Sequence, residues 1–159
     1  EATWRDADEI IRTLIECVSK GGNLLLNVGP TARGEFDYRA RERLEKIGEW
    51  MYYHSQSIYG CTQAPEEFKV PENCKLTYNP EKKRLYLHIF SWPYKFIYLE
   101  GKAYKEKVEY AQLLNDASEI KIGMPEWYKK QIGEKEGIVL NIPPFKPKVL
   151  VPVIELFLK

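Results

Sequence analysis

The sequence predicts an α/β fragment, helix–strand–helix, followed by an all-β antiparallel sandwich, and three observations predict it. Residues 19–30 read Ser-Lys-Gly-Gly-Asn-Leu-Leu-Leu-Asn-Val-Gly-Pro: a helix end, an apolar strand and a turn-rich loop in tight succession. A second helical period follows over residues 37–54. After Cys61 the texture changes to prolines and short alternating runs.

Thr3-Trp-Arg-Asp6 fits a capping box at the start of the first helix. Ile10, Ile11, Leu14, Ile15 and Val18 then repeat at helical spacing, and Gly21 is a natural left-handed C-cap. In the strand over residues 23–28, Leu24, Leu26 and Val28 face one side and Asn23, Leu25 and Asn27 the other. Leucine on both sides suits a strand covered on both sides. One helix–strand–helix unit cannot provide that cover, so the fragment is expected to belong to a larger domain. The second helix carries Ala40, Leu44, Ile47 and Met51 as its apolar stripe, with Arg41–Glu45 and Glu42–Lys46 as ion pairs on the wet side. Strands are expected over residues 75–79, 84–90, 95–99, 108–114, 118–122, 137–142 and 149–158. Pro-Glu-Lys-Lys turns the first of these into the second, where Leu85, Leu87 and Ile89 alternate with Tyr86, His88 and Phe90. The boundary is placed so that residues 1–61 form the α/β part and residues 62–159 the sandwich.

Composition excludes several classes. The 159 residues are 44% apolar and 30% charged, with a net charge of +1, as for a globular chain. So balanced a charge gives no general pull toward nucleic acid or an anionic membrane, and neither is expected as a partner. No apolar run approaches the ~20 residues that span a bilayer. The polar start, Glu1-Ala-Thr-Trp-Arg-Asp, is not a signal peptide, and the compartment stays open. Cys17, Cys61 and Cys74 are an odd, widely spaced set. They read as free buried thiols, with a Cys61–Cys74 bridge as the alternative.

The candidate chemistry is sparse. Two histidines, His54 and His88, and no Cys/His cluster leave no metal site, and no cofactor is expected. His54, at a helix end, suits the helix dipole as a cation. The loop Gly29-Pro-Thr-Ala-Arg-Gly34 lacks the Gly-Lys-Ser/Thr of a phosphate loop. Ser19, Ser55, Ser57, Ser91 and Ser118 all fall outside a nucleophile elbow. Asp116 and Glu155 are acids set among apolar residues, but the first reads as a turn and the second as an outward residue on a terminal strand. Tyr86, Trp92, Tyr94, Phe96 and Tyr98 read either as sheet core or as a sugar-stacking platform. Asn27, Thr31 and Arg33 lie at the C-terminal end of the predicted strand, where parallel barrels place their active sites. Asn27 reads equally as a residue aimed at a barrel mouth or as a tie to neighbouring backbone.

The run Val18-Ser-Lys-Gly-Gly-Asn-Leu-Leu-Leu-Asn-Val-Gly-Pro-Thr, with Arg43-Leu-Glu-Lys-Ile-Gly-Glu-Trp and Ser57-Ile-Tyr-Gly, closely resembles the alpha-L-fucosidases of glycoside hydrolase family 29. His88-Ile-Phe-Ser-Trp-Pro and Val108-Glu-Tyr-Ala-Gln-Leu-Leu-Asn-Asp-Ala-Ser-Glu-Ile resemble bacterial members. The resemblance implies that residues 1–61 close a (β/α)8-like catalytic barrel and that residues 62–159 are its C-terminal β-sandwich. It implies a retaining hydrolase that releases terminal L-fucose from a fucosylated glycan, with nucleophile, acid/base and fucose-gripping residues all upstream of the matched segment. No catalytic residue is therefore expected in this chain, and Asn27, Thr31 and Arg33 are left as the periphery of the substrate site. Many relatives have Ala-Asp-Gly where this chain has Ala32-Arg33-Gly34. The alternative is a stand-alone carbohydrate-binding or structural module without catalysis.

Overall fold

In the computed structural model, which describes residues 4–133 and 135–159, two helices lie against one of two antiparallel sheets. Helix α1 spans Ala7–Ser19. Its N-cap is Asp6, whose carboxylate accepts a 2.9 Å bond from the Glu9 amide, so the cap sits at Asp6 itself. Thr3, the cap expected from sequence, lies outside the described residues. The helix ends as expected, with Gly21 at φ 80° and the Gly22 amide donating to the Cys17 carbonyl. Helix α2 spans Tyr38–His54, capped by Asp37, and runs into a 3-10 turn over Ser55–Ser57.

The strands are β1 Thr62–Gln63, β2 Cys74–Asn79, β3 Arg84–Ile89, β4 Phe96–Glu100, β5 Val108–Leu113, β6 Lys121–Ile122, β7 Gly137–Asn141 and β8 Val153–Leu158. They form a five-stranded sheet in the order β1-β2-β3-β8-β5 and a three-stranded sheet in the order β4-β7-β6. Every ladder is antiparallel. The strands predicted after Cys61 all recur, with ends trimmed or shifted by a few residues. β8 starts only at Val153, because Pro152 has no amide to give a ladder. Two short helices, α3 Lys102–Lys107 and α4 Glu126–Ile132, were not legible as such. Neither is long enough to show an apolar stripe, and α3 buries only Tyr104.

Alternation along β3 divides the interior. Leu85, Leu87 and Ile89 join Ile97, Leu99, Leu140, Ile154 and Leu156 in the core between the two sheets. On the opposite side Tyr86 joins Ile11, Ile15, Trp50, Val151 and Val153 beneath α1 and α2. The Trp50 indole N–H donates to the Val151 carbonyl at 2.9 Å, fastening α2 to the chain entering β8. The five-stranded sheet thus carries two apolar clusters, one shared with the second sheet and one with the helices.

Residues 23–28 differ from expectation. They join no ladder; Leu25 is 94% exposed and Leu26 43%. A strand exists through hydrogen bonds to a neighbour, and no other described segment is placed to give them. No helix among the described residues is long and apolar enough to cross a membrane.

Two outcomes follow from this packing. Amides of residues 23–28 exchange with solvent fast while those of β3 and β8 are protected, read by hydrogen exchange; protection of 23–28 in a monomer would contradict the fold described. Leu87→Ala, which opens a hole at a fully buried position, lowers stability by about 2–5 kcal/mol in urea denaturation.

Candidate functional site

The loop after the apolar segment closes on itself. The Gly34 amide donates to the Thr31 carbonyl at 2.9 Å, the Thr31 amide to the Glu35 carbonyl at 2.7 Å, and Pro30 bridges Phe36. Gly34, at φ 78°, takes the left-handed position that a three-residue hairpin loop requires. Thr31 Oγ1 accepts from the Glu35 amide at 3.3 Å, which fixes the threonine to its own turn. Arg33 sits exposed in that turn.

Beside this loop, α1 and α2 leave an open groove of about 360 Å3. Ile10, Ala40, Leu44 and Ile47 line it from the helices, and Leu24, Leu26, Asn27 and Val28 from the apolar segment. Trp4 lies at its rim, with the Arg39 guanidinium 4.7 Å and the Arg43 guanidinium 5.5 Å from its ring centre. Arg43 is fixed by donating to the carbonyls of Arg5, at 2.6 Å, and Arg39, at 3.0 Å. The structure therefore brings Asn27 to the groove and keeps Thr31 and Arg33 out of its lining. Among the described residues no carboxylate lines the groove. It can bury apolar surface and offer an amide, but it cannot supply the paired carboxyl groups of a glycosidase.

A polar row runs under the helices. Gln63, Thr77, Tyr86, Glu155 and Gln112 stand side by side across β1, β2, β3, β8 and β5. Glu155 is not outward: it is 5% exposed, because β8 lies inside the sheet between β3 and β5. Gln112 Nε2 donates to its carboxylate at 2.8 Å. Tyr86 stands directly across from it and has no hydrogen-bond partner among the described residues. Burial first, and the Glu155 charge second, push the Tyr86 hydroxyl up in pKa. Asp116 does sit in a turn, accepting from the Ser118 amide at 2.9 Å and hydroxyl at 2.6 Å.

Sequence reasoning missed how the two histidines meet one serine. Thr77 Oγ1 donates to the Ser57 carbonyl at 2.7 Å, and Ser57 Oγ to the His54 carbonyl at 2.8 Å. The His88 ring is held from both sides, with Nε2 3.0 Å from Ser57 Oγ and Nδ1 3.2 Å from the Lys75 carbonyl. Both rings are fully buried. Burial holds His88 down at about 3 and lowers His54 as well, so His54 is a neutral ring and not the cation expected at the helix end. His54 Nδ1 lies 2.8 Å from the Trp50 carbonyl, and its ring stacks on Trp50 at 4.8 Å. These bonds tie α2 to β2 and β3. The sequence signal was a histidine at an inward position of a strand, beneath a helix that itself ends in histidine.

The remaining candidates separate. Cys17, Cys61 and Cys74 are free thiols, and burial raises Cys61 and Cys74 to about 11. Among the described residues no group of acids, histidines and cysteines has metal-site geometry. The aromatic cluster is not one surface. Tyr86 is buried under the helices, Trp92 donates to the Pro143 carbonyl at 3.0 Å, and Tyr94 is exposed. Phe96 and Tyr98 pack against Trp127 and Tyr128 of α4.

Comparison with known proteins gives one consistent result. The family profile described as Alpha-L-fucosidase matches residues 1–56. The alpha-L-fucosidase of Dictyostelium discoideum is 30% identical over 156 residues, covering 97% of this chain and 32% of the relative. Human plasma alpha-L-fucosidase is 29% identical over 141 residues, covering 86% of this chain and 28% of the relative. The chain thus spans a third or less of the curated relatives it matches. In structure it is similar to alpha-L-fucosidase isoenzyme 1 from Paenibacillus thiaminolyticus, with a TM-score of 0.87, 34% identity, and 98% of this chain matched to 35% of that one. The fold is also that of a family 29 alpha-L-fucosidase from Bacteroides thetaiotaomicron, trapped as a covalent intermediate with 2-fluoro-fucosyl fluoride, at a TM-score of 0.81 and 24% identity.

The buried histidines set a pH dependence. Their folded pKa values lie below the unfolded value near 6.5, so stability is full above pH 6.5 and falls as the unfolded chain takes up protons that the folded one refuses. Between pH 7 and pH 5 the loss from His88 alone is about 2 kcal/mol. Urea midpoints at the two pH values measure it, and His88→Gln shallows the slope. An unchanged slope in that variant would remove His88 as the cause.

Proposed function

This chain belongs to the alpha-L-fucosidase family, and from that premise we propose that it forms the C-terminal portion of a retaining alpha-L-fucosidase that releases terminal L-fucose from glycans. Residues 1–61 then close a (β/α)8-like barrel, and residues 62–159 form the sandwich that supports it. One observation carries this reading: residues 23–28 present Leu25 and Leu26 to solvent without a ladder, beside an apolar groove. Barrel strands on either side would give the segment its hydrogen bonds and bury its leucines on both faces. A stand-alone binding module gives no reason for such a segment.

Retaining hydrolysis needs a nucleophile and an acid/base carboxyl ~5–5.5 Å apart across the scissile bond. Neither role falls to a residue of this chain. Its contribution is mechanical and positional. The segment that ends at Asn27 is anchored at one end by α1 and at the other by the closed loop of residues 30–36. Asn27, with a donor and an acceptor in one planar amide, suits a sugar hydroxyl or the orientation of a catalytic carboxylate. Thr31 and Arg33 stand further out, and Arg33 meets whatever the fucose is attached to.

Two measurements test the reading. The purified chain shows no turnover of a chromogenic aryl fucoside. Turnover that tracks the chain and vanishes on mutating Asp116 or Glu155 would place the chemistry in the sheets and sink the proposal. In a longer polypeptide that carries the whole barrel, Asn27→Ala lowers kcat by about 10-fold, or about 1.4 kcal/mol of barrier, with the fold intact. A loss of thermal stability with kcat unchanged would instead make Asn27 a backbone tie.

A further inference from the structure

The outer face of the three-stranded sheet carries an aromatic construction. Phe96 and Tyr98 point outward from β4, since Ile97 and Leu99 point into the core. Trp127 and Tyr128 of α4 rest on them, at ring-centre distances of 5.8 Å for Phe96–Trp127 and 6.1 Å for Tyr98–Tyr128. Trp127 also meets Tyr128 at 5.4 Å. It is inclined 64° to Phe96 and 72° to Tyr128, so neither ring lies parallel over it, and it remains 56% exposed. An indole held by two other rings, with more than half of its surface in water, is a platform whose orientation is already fixed.

Polar groups stand in the same row of the sheet. Asn141 pairs with Phe96 on one side and Lys121 on the other. Its Nδ2 donates to the carbonyls of Lys121, at 2.9 Å, and Gly123, at 3.2 Å, which locks the amide in place. Among the described residues its Oδ1 accepts no hydrogen bond and Lys121 joins no ion pair. A fixed acceptor and an ammonium therefore flank the rings. The Glu126–Lys129 pair, 2.8 Å apart, stands on the same helix. A half-exposed ring with polar groups in the adjoining row suits a single pyranose, whose C–H face stacks on an aromatic ring while its hydroxyls reach polar groups at the edge.

We propose that Trp127, set on Phe96 and Tyr128 and flanked by Asn141 and Lys121, is a glycan-binding platform on the sheet face opposite the two-sheet core. It takes a neutral hexose or deoxyhexose ring of the glycan that bears the fucose. The choice of glycan as occupant rests on the fucosidase reading. It holds the non-reacting part of a branched substrate and raises the local concentration of its fucose ends.

The test is an amide and indole NMR titration of the 15N-labelled chain with a fucosylated lactose trisaccharide, and separately with lactose. The indole N–H resonance of Trp127 shifts with saturation in the millimolar range, while those of Trp50 and Trp92, already donating to Val151 and Pro143, stay in place. Trp127→Ala weakens binding about 10-fold and Trp127→Tyr keeps it within about 3-fold, each with the wild-type circular dichroism spectrum. A shift with lactose alone upholds the platform even if the longer protein fails to cleave fucosides, so the two proposals fail separately. No Trp127 shift with either sugar, backbone amide shifts of equal size in Trp127→Ala, tighter binding of a poly-dT oligonucleotide, or a self-association that Trp127→Ala abolishes each overturns it.

Discussion

Strand β3 has to be covered on both faces, and the rest of the structure depends on that constraint. Its leucines and isoleucine need the second sheet, while Tyr86 and His88 on the reverse need the helices. Each large apolar side chain so buried contributes about 1.5–3 kcal/mol, and the sheet carries a separate apolar cluster on each face. The polar contacts then fix the register of the layers rather than add much stability. The Trp50 indole donates to the Val151 carbonyl, and Ser57 accepts from Thr77 and bonds the His88 ring. A helix docked by apolar contact alone can slide; one tied by directional bonds at both its middle and its end cannot.

Packing polar atoms under the helices has a cost, and the structure shows where it is met. Glu155 keeps Gln112 as its mate, and the serine, threonine and two histidines share their bonds. His54 Nε2 and the Tyr86 hydroxyl have no partner among the described residues. A buried polar atom left unpaired costs about 1–3 kcal/mol. The neutral state of both histidines follows: a charge there would have to be desolvated with no acid in hydrogen-bond reach.

Much of the fold was legible because β3 and β8 carry strong period-two patterns and because Pro-Glu-Lys-Lys and Gly21 punctuate them. Asn23-Leu-Leu-Leu was legible as a strand and yet is not laddered here, since a sequence run states a preference while a ladder needs a second chain segment. Glu155 was misread for the opposite reason. Its alternation was correct, but sequence order makes β8 last whereas pairing places it between β3 and β5, and no local signal reports that. Short α3 and α4 fell below the length at which periodicity can be read. At the candidate site the sequence pointed to Asn27, Thr31 and Arg33 together. Only Asn27 reaches the groove, because the hairpin bonds of residues 31–35 turn the other two away.

The two faces of the helix pair are in opposite conditions. Toward the sheet, Ile11, Ile15 and Trp50 are buried to within a few per cent. Away from it, Leu44 and Ile47 line an open groove and the leucines beside them meet water. Apolar surface left at water gains nothing for the fold, and about 25 cal/mol per Å2 is recovered only when it is covered. The finished face therefore holds the helices at a fixed distance from the sheets, and the unfinished one offers a rigid seat. A catalytic constellation tolerates misplacement of well under 1 Å. In the proposed enzyme the sheets would serve the chemistry by holding α1, α2 and the segment leading to Asn27 still, without contributing a reacting atom.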